Sequence, residues 1–262
     1  MARLTVTADK QATSEAAAER ITSIIESTIT THGSTAIALT GGSTPDVLYQ
    51  LLADPQRPWR ARIDWMRLHI FWGDEREVPP DHPESNYGLA YRLLLSHVPV
   101  PEAQIHRMRG ELPATDAGHL YDAVLRLRRG QTAGALFDVQ LLGIGENVHI
   151  ASLFPDSPLL AREALIYTDS AGRLSTGRLA AGVQVPQLNA WRITLTPRAL
   201  LDSAHVIMIA AERSKAEAVW RAIEGDEDVT RYPAQLLRRI GDRVEWFIDR
   251  AAAARLRDAP HA

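Results

Sequence analysis

His149 closes the stretch Gly143-Ile144-Gly145-Glu146-Asn147-Val148-His149, directly after the apolar run Phe137 to Leu142. A short buried strand, two glycines and one imidazole are how α/β enzymes present a base to a substrate. The spacing places His149 at the start of a helix. A neutral imidazole, with an ordinary pKa of about 6.5, is suited to taking a proton from water near pH 7. The chain has nine histidines, so residue type alone says little. Its position after the glycines singles His149 out from a histidine that merely caps a helix.

Three other groups carry possible chemistry. Gly41-Gly42-Ser43-Thr44 precedes Pro45. Glycines let a phosphate approach the backbone, and a helix N-terminus supplies free N–H donors and a favourable dipole. A plain tight turn with Ser43 or Thr44 as N-cap fits the same residues. Lys215 follows an apolar run and is either a point charge for a phosphate or a solvated lysine. Asp74-Glu75-Arg76 follows another apolar run. There Arg76 would bind an anion or oxyanion with Asp74 orienting it, or the two would form a surface ion pair. A metal role fits poorly, because no His-Glu-x-x-His and no carboxylate cluster of matching spacing occurs. A serine hydrolase also fits poorly, without a Gly-x-Ser-x-Gly elbow.

The elements that must position these groups alternate between strand and helix. Strands are expected at Leu4–Thr7, Thr35–Thr40, Arg67–Trp72, Phe137–Leu142, Arg192–Thr196, His205–Ala210 and Val244–Ile248. Helices are expected from about Ser14 to Thr31, from Pro45 to about Leu52, near Asn86–Leu95 and Thr115–Arg129, and from about Ser214 to Ile223. An Ala-rich helix closes the chain. Gly73 to Glu77 reads as a charged loop, and Asp169 to Leu188 as loop with a weak hairpin. The alternation predicts a Rossmann-like α/β fold, a mostly parallel sheet with helices on both faces, spanning residues 1–262 as one domain. In such sheets ligands bind beyond the carboxyl ends of the strands, where Gly41 to Thr44, Gly73 to Arg76 and Gly143 to His149 all fall.

Bulk properties bound the partners. The chain has 262 residues, 45% of them hydrophobic and 23% charged, with a net charge of −3, which suits a folded core and disfavours nucleic acid or an anionic membrane. Without cysteine there is no disulfide and no thiolate chemistry. No signal-peptide pattern and no apolar run near the roughly 20 residues of a membrane span occur, so the cytoplasm is the expected location. Monomer and dimer both remain open.

Together these segments resemble the 6-phosphogluconolactonase family, within the superfamily that includes glucosamine-6-phosphate deaminase. The resemblance runs in order through Leu39 to Pro45, Trp72 to Pro79 with Ser85-Asn86-Tyr87, Leu142 to Pro155, Arg192 to Thr196 and Ser214-Lys215-Ala216. It implies a metal-free hydrolase, without a cofactor, acting on a sugar-phosphate lactone. It implies His149 as general base with Asn147 beside it. Gly41, Gly42, Ser43, Thr44 and Lys215 would hold the phosphate. Arg76, oriented by Asp74, would face the substrate, with Asn86 and Arg192 at further family positions.

The chain departs from the family pattern at Asn147-Val148, where Asp-Gly is usual, and at Ala211-Glu212-Arg213, where Gly is common. A β-branched residue tolerates positive φ badly, so Val148 implies a negative φ or a rearranged loop. Two alternatives follow: an amino-sugar-phosphate deaminase or isomerase, and a non-catalytic sugar-phosphate-binding protein. The first needs a positioned carboxylate base, and none occurs between His149 and Asp156.

Overall fold

The computed structural model describes residues 2–42, 44–161, 167–168, 174–175 and 177–257. In chain order it has β1 (Arg3–Thr7), α1 (Lys10–His32), β2 (Thr35–Leu39), α2 (Pro45–Ala53), α3 (Pro58–Arg62), β3 (Leu68–Trp72), β4 (Asp74–Arg76), α4 (Asn86–Leu93) and α5 (Ala114–Gln131). There follow β5 (Phe137–Leu142), β6 (Tyr167–Thr168), β7 (Leu174–Ser175), β8 (Ala180–Val185), β9 (Ala190–Leu195), α6 (Pro197–Leu201), β10 (Ser203–Ala210), α7 (Ala216–Ile223) and β11 (Val244–Asp249).

Six strands form one parallel sheet in the order β1-β11-β10-β5-β2-β3. Every residue of β2 and β11 is buried. Successive strand residues point to opposite faces, so both faces of the sheet are covered, as a parallel sheet requires. The fold class is the Rossmann-like α/β arrangement expected. From β2 the chain moves outward to β3, whereas from β5 it moves the other way to β10. These neighbouring strands therefore diverge, leaving a crevice at their carboxyl ends.

Local chemistry sets the element ends. Helix α1 starts four residues earlier than its apolar spacing suggested, because the Asp9 side chain caps the Ala12 N–H at 2.9 Å. It stops at Gly33, which takes φ 81°. Tyr49 of α2, fully buried, donates to the Thr40 carbonyl at 2.6 Å and accepts from the Thr40 N–H at 3.2 Å. That clamp fixes the chain where it leaves β2 for the glycine turn.

Four expectations are corrected. Asp74–Arg76 is a strand: β4 pairs antiparallel with β9, and β9 with β8, in a separate three-stranded sheet. The Arg192–Thr196 strand therefore belongs to this small sheet and not to the parallel one. In the stretch from Asp169 to Leu188, of which residues 169–173 and 176 lie outside the described residues, β8 is a regular strand of that sheet, and β7 pairs antiparallel with β6. Finally, Ala251–Arg255 forms turns instead of a helix, with the Ala252 N–H held by the Asp249 carboxylate at 2.7 Å. Among the described residues no helix is long and apolar enough to cross a membrane.

At the outer edge, His69 of β3 meets His106 at 3.3 Å, and the His106 ring stacks on Phe71 at 4.5 Å. Burial pushes both imidazoles down, His106 to about 4. The unfolded chain therefore binds protons at these sites below about pH 6.5, while the folded chain binds them only at lower pH. Their contribution to stability is full above pH 6.5 and is lost as pH falls toward 4. His106→Phe is expected to flatten the fall of unfolding free energy between pH 7 and 4.5, measured by urea titration, by up to one proton's worth of slope. An unchanged slope would show that this pair does not titrate on unfolding.

Candidate active site

A cleft of about 200 Å³ occupies the crevice between β2 and β5. Its walls come from the glycine turn after β2, from the Gly143–His149 loop after β5, from Asp74 and Arg76 of β4, from Asn86 opening α4, and from Lys215 beyond β10. Five segments of the chain thus converge at one end of the parallel sheet. Gly41, Gly42, Thr44, Asp74, Arg76, Asn86, His149 and Lys215 all line the cleft. Ser43 lies outside the described residues. Arg192 does not line it; it sits on β9 in register with Arg76, one strand away.

His149 stands in a bonded turn, not at a helix start. The Val148 N–H donates to Gly145 O and the Gly145 N–H to His149 O, both at 2.9 Å, and the Ala234 N–H holds Val148 O at 3.0 Å. Val148 takes φ 69°, so the turn is left-handed despite its β-branched residue. Its side chain is only 2% exposed. Burial of a valine is worth ~1.5–3 kcal/mol and offsets backbone strain of ~1–3 kcal/mol. The Phe154 ring stacks on the imidazole at 4.0 Å. Asn147 Oδ1 lies 2.5 Å from His149 Nδ1. A carbonyl oxygen can only accept, so Nδ1 carries the proton and Nε2 keeps its lone pair. Burial pushes the imidazole down to about 4. Asp74 works against that shift, and Lys215, Arg76 and Arg192 reinforce it. His149 is thus a neutral base across the physiological range.

Asp74 is 7% exposed, and its carboxylate is fully engaged. Asn86 Nδ2 donates to Oδ1 at 3.1 Å and to the Asp74 carbonyl at 2.9 Å; Ser152 Oγ donates to Oδ2 at 2.6 Å. The expected orientation of Arg76 by Asp74 is therefore not what forms. Arg76 donates instead from Nη1 to the Glu84 carbonyl at 2.5 Å. Asp74 is satisfied by two neutral donors, which leaves the cleft's cations to a ligand. Glu75, on the opposite side of β4, accepts from the Arg76, Asn86 and Tyr87 N–H groups at 2.8 Å each and from Ser85 Oγ at 3.1 Å. It ties the start of α4 to β4 and so places Asn86. Burial pushes the Glu75 carboxyl up, against these backbone donors.

Gly41 is required sterically, since a Cβ there would meet Asn86 Oδ1 at 1.7 Å. Thr44 precedes α2 without a side-chain cap bond, so its role as an ordinary N-cap does not form. Sequence reading missed Ser152, Thr194 and Phe154 as parts of the site. The available signal was Ser152, a polar residue between the apolar Ala151 and Leu153 and yet buried. Among the described residues no three His, Asp or Glu side chains are grouped to hold a metal ion.

Glu212, in the loop before Lys215, has φ 80° and ψ 151°, a region essentially reserved for glycine. Its side chain is exposed and its N–H donates to Asp249 Oδ2 at 3.0 Å. Glu212→Gly removes the strain without losing buried area, partly offset by a looser unfolded chain. A rise in melting temperature of about 2–4 °C is expected from ~1 kcal/mol of net stabilisation. A fall would mean that the strain is absorbed elsewhere.

A parallel sheet with its working crevice at the switch point, walled by glycine turns and a neutral imidazole, defines a Rossmann-like α/β enzyme. The comparisons with known proteins narrow this. The chain belongs to the family described as glucosamine-6-phosphate isomerases/6-phosphogluconolactonase, whose model matches residues 8–246. It is 34% identical over 263 residues to the 6-phosphogluconolactonase of Streptomyces coelicolor, covering 97% of this chain and 94% of that one. It is 35% identical over 249 residues to that of Mycobacterium tuberculosis, covering 92% and 93%. The solved 6-phosphogluconolactonase of Trypanosoma cruzi superposes with a TM-score of 0.78 at 26% identity, covering 98% and 97%.

Proposed function

We propose that this chain hydrolyses 6-phospho-D-glucono-1,5-lactone to 6-phospho-D-gluconate without a metal, as a cytoplasmic step of the oxidative pentose phosphate pathway and as a single 262-residue domain. The observation that carries the reading is His149 itself, a neutral imidazole with Nε2 free, set in a cleft whose other side is cationic. The named lactonases that match nearly the whole chain support the same reaction.

The chemistry follows from the geometry. The phosphate end sits at the Gly41–Thr44 turn and the α2 N-terminus, facing Lys215. Gripping that remote group fixes the lactone ring near the imidazole. His149 Nε2 takes a proton from water as the water oxygen attacks the lactone carbonyl carbon. The resulting oxyanion faces Arg76. Collapse breaks the bond to the ring oxygen, and the imidazolium returns its proton to that oxygen. Asp74 stabilises the transient imidazolium.

The test is turnover of freshly generated lactone above the spontaneous background, with chelator present. Wild-type activity is expected, with Lys215→Ala lower in kcat/KM by about 100-fold through loss of a buried charge contact to phosphate. No turnover by the wild type would overturn the reading.

A further inference from the structure

We infer that Ser152 is a positioning residue for the reaction: its hydroxyl fixes the Asp74 carboxylate as the counter-charge to His149. The inference rests on the lactonase reading above. Three observations carry it. First, Ser152 is 1% exposed, and its Oγ donates to Asp74 Oδ2 at 2.6 Å, the short distance of a charge-assisted bond. Second, its backbone is anchored independently of that hydroxyl. The Ser152 N–H donates to Thr194 Oγ1 at 3.1 Å, and Thr194 lies opposite Asp74 in the β4–β9 register. The serine thus joins the His149 loop to both strands beneath the cleft. Third, Asp74 and His149 line the same cleft, and of the four charged groups that act most on His149, Asp74 favours the imidazolium while Lys215, Arg76 and Arg192 oppose it.

The consequence is directional. Proton abstraction from water creates a cation on His149 beside three existing cations, so the step depends on where the Asp74 carboxylate stands. Asn86 holds Asp74 Oδ1 from the α4 side, and Ser152 holds Oδ2 from the His149 loop. With both in place the carboxylate cannot rotate toward Arg76 or out to water. Ser152 is three residues from His149 and bonds to neither the imidazole nor a cleft cation, so it acts through Asp74.

The experiment is a double-mutant cycle with Ser152→Ala and Asp74→Asn, followed by lactone hydrolysis and by crystal structures. Ser152→Ala is expected to lower kcat about tenfold, the order of one hydrogen bond to a charged group, with KM within about twofold. In the Asp74→Asn background the same substitution is expected to have no further effect on kcat, since there is no charge left to position. Ser152→Cys, close in size and a weak donor, should fall between serine and alanine. It replaces alanine in the cycle if that variant does not fold. An equal loss in both backgrounds, a loss confined to KM, or no loss overturns the inference. If the wild type proves inactive on the lactone, the reaction reading fails separately. The crystal structures still decide, because the Asp74 carboxylate is expected to rotate in Ser152→Ala, and an unmoved carboxylate overturns the inference.

Discussion

Replacing His149 by alanine is expected to lower kcat for lactone hydrolysis by about 10³-fold, the usual range for loss of a general base. The pH profile makes the prediction sharper. Burial, followed by the nearby cations, holds the His149 imidazole down at about 4. A base works only when neutral, so wild-type kcat/KM is expected to be flat through neutrality and to fall as pH drops through about 4. An unperturbed histidine would give that fall near 6.5. Asn147 controls where the fall lies. Its Oδ1 is 2.5 Å from Nδ1, so Asn147→Asp places a carboxylate against the ring and favours the imidazolium. The acid limb should then move up by about 1–3 units, with activity at pH 7.5 no lower than wild type, because the base becomes stronger while remaining mostly neutral. A limb near 6.5 in the wild type, or one that does not move in Asn147→Asp, would remove the dyad from the mechanism.

Much of the frame was legible because it rests on continuous apolar runs. Phe137–Leu142, Thr35–Leu39 and His205–Ala210 must be buried strands, and glycine at the end of a strand marks where backbone comes close to something else. The turn after β2 and the His149 loop were found on that ground. What stayed hidden depends on partners distant in sequence. Asp74-Glu75-Arg76 has no apolar period, and it becomes a strand only because Ala190–Leu195 lies alongside it. The opposite charges of Asp74 and Arg76 suggested a pair, yet Asp74 is satisfied by Asn86 and Ser152 from two other segments. Local sterics argued against a left-handed Val148. The burial that stabilises that conformation comes from tertiary packing, which no local rule supplies. The run Ala251–Ala254 has high helix propensity, but four residues cannot nucleate a helix against a capped turn at Asp249.

The second large effect is expected at a residue without any functional group. A Cβ on Gly145 would lie 2.0 Å from Nδ1 and 2.1 Å from Cε1 of His149. The backbone there does not have positive φ, and the three atoms nearest the added Cβ all belong to the imidazole, so the collision falls first on the ring. The ring cannot step aside within the site, because Phe154 stacks on it at 4.0 Å and Asn147 holds Nδ1. It must leave its seat. A displacement of about 1 Å costs on the order of 10²-fold in rate, so Gly145→Ala is expected to approach His149→Ala in kcat while remaining folded. Gly143→Ala is the matched control. Its Cβ meets no protein atom within 4 Å, so any effect there arises from the ligand and appears in KM. A readout without turnover separates displacement from poor folding. The wild-type imidazole is held near 4 mainly by burial, and a ring pushed into solvent loses that cause. By NMR titration His149 in Gly145→Ala is expected to protonate near 6.5. An imidazole still titrating near 4 in a variant that has lost activity would mean that the glycine serves the substrate and not the base.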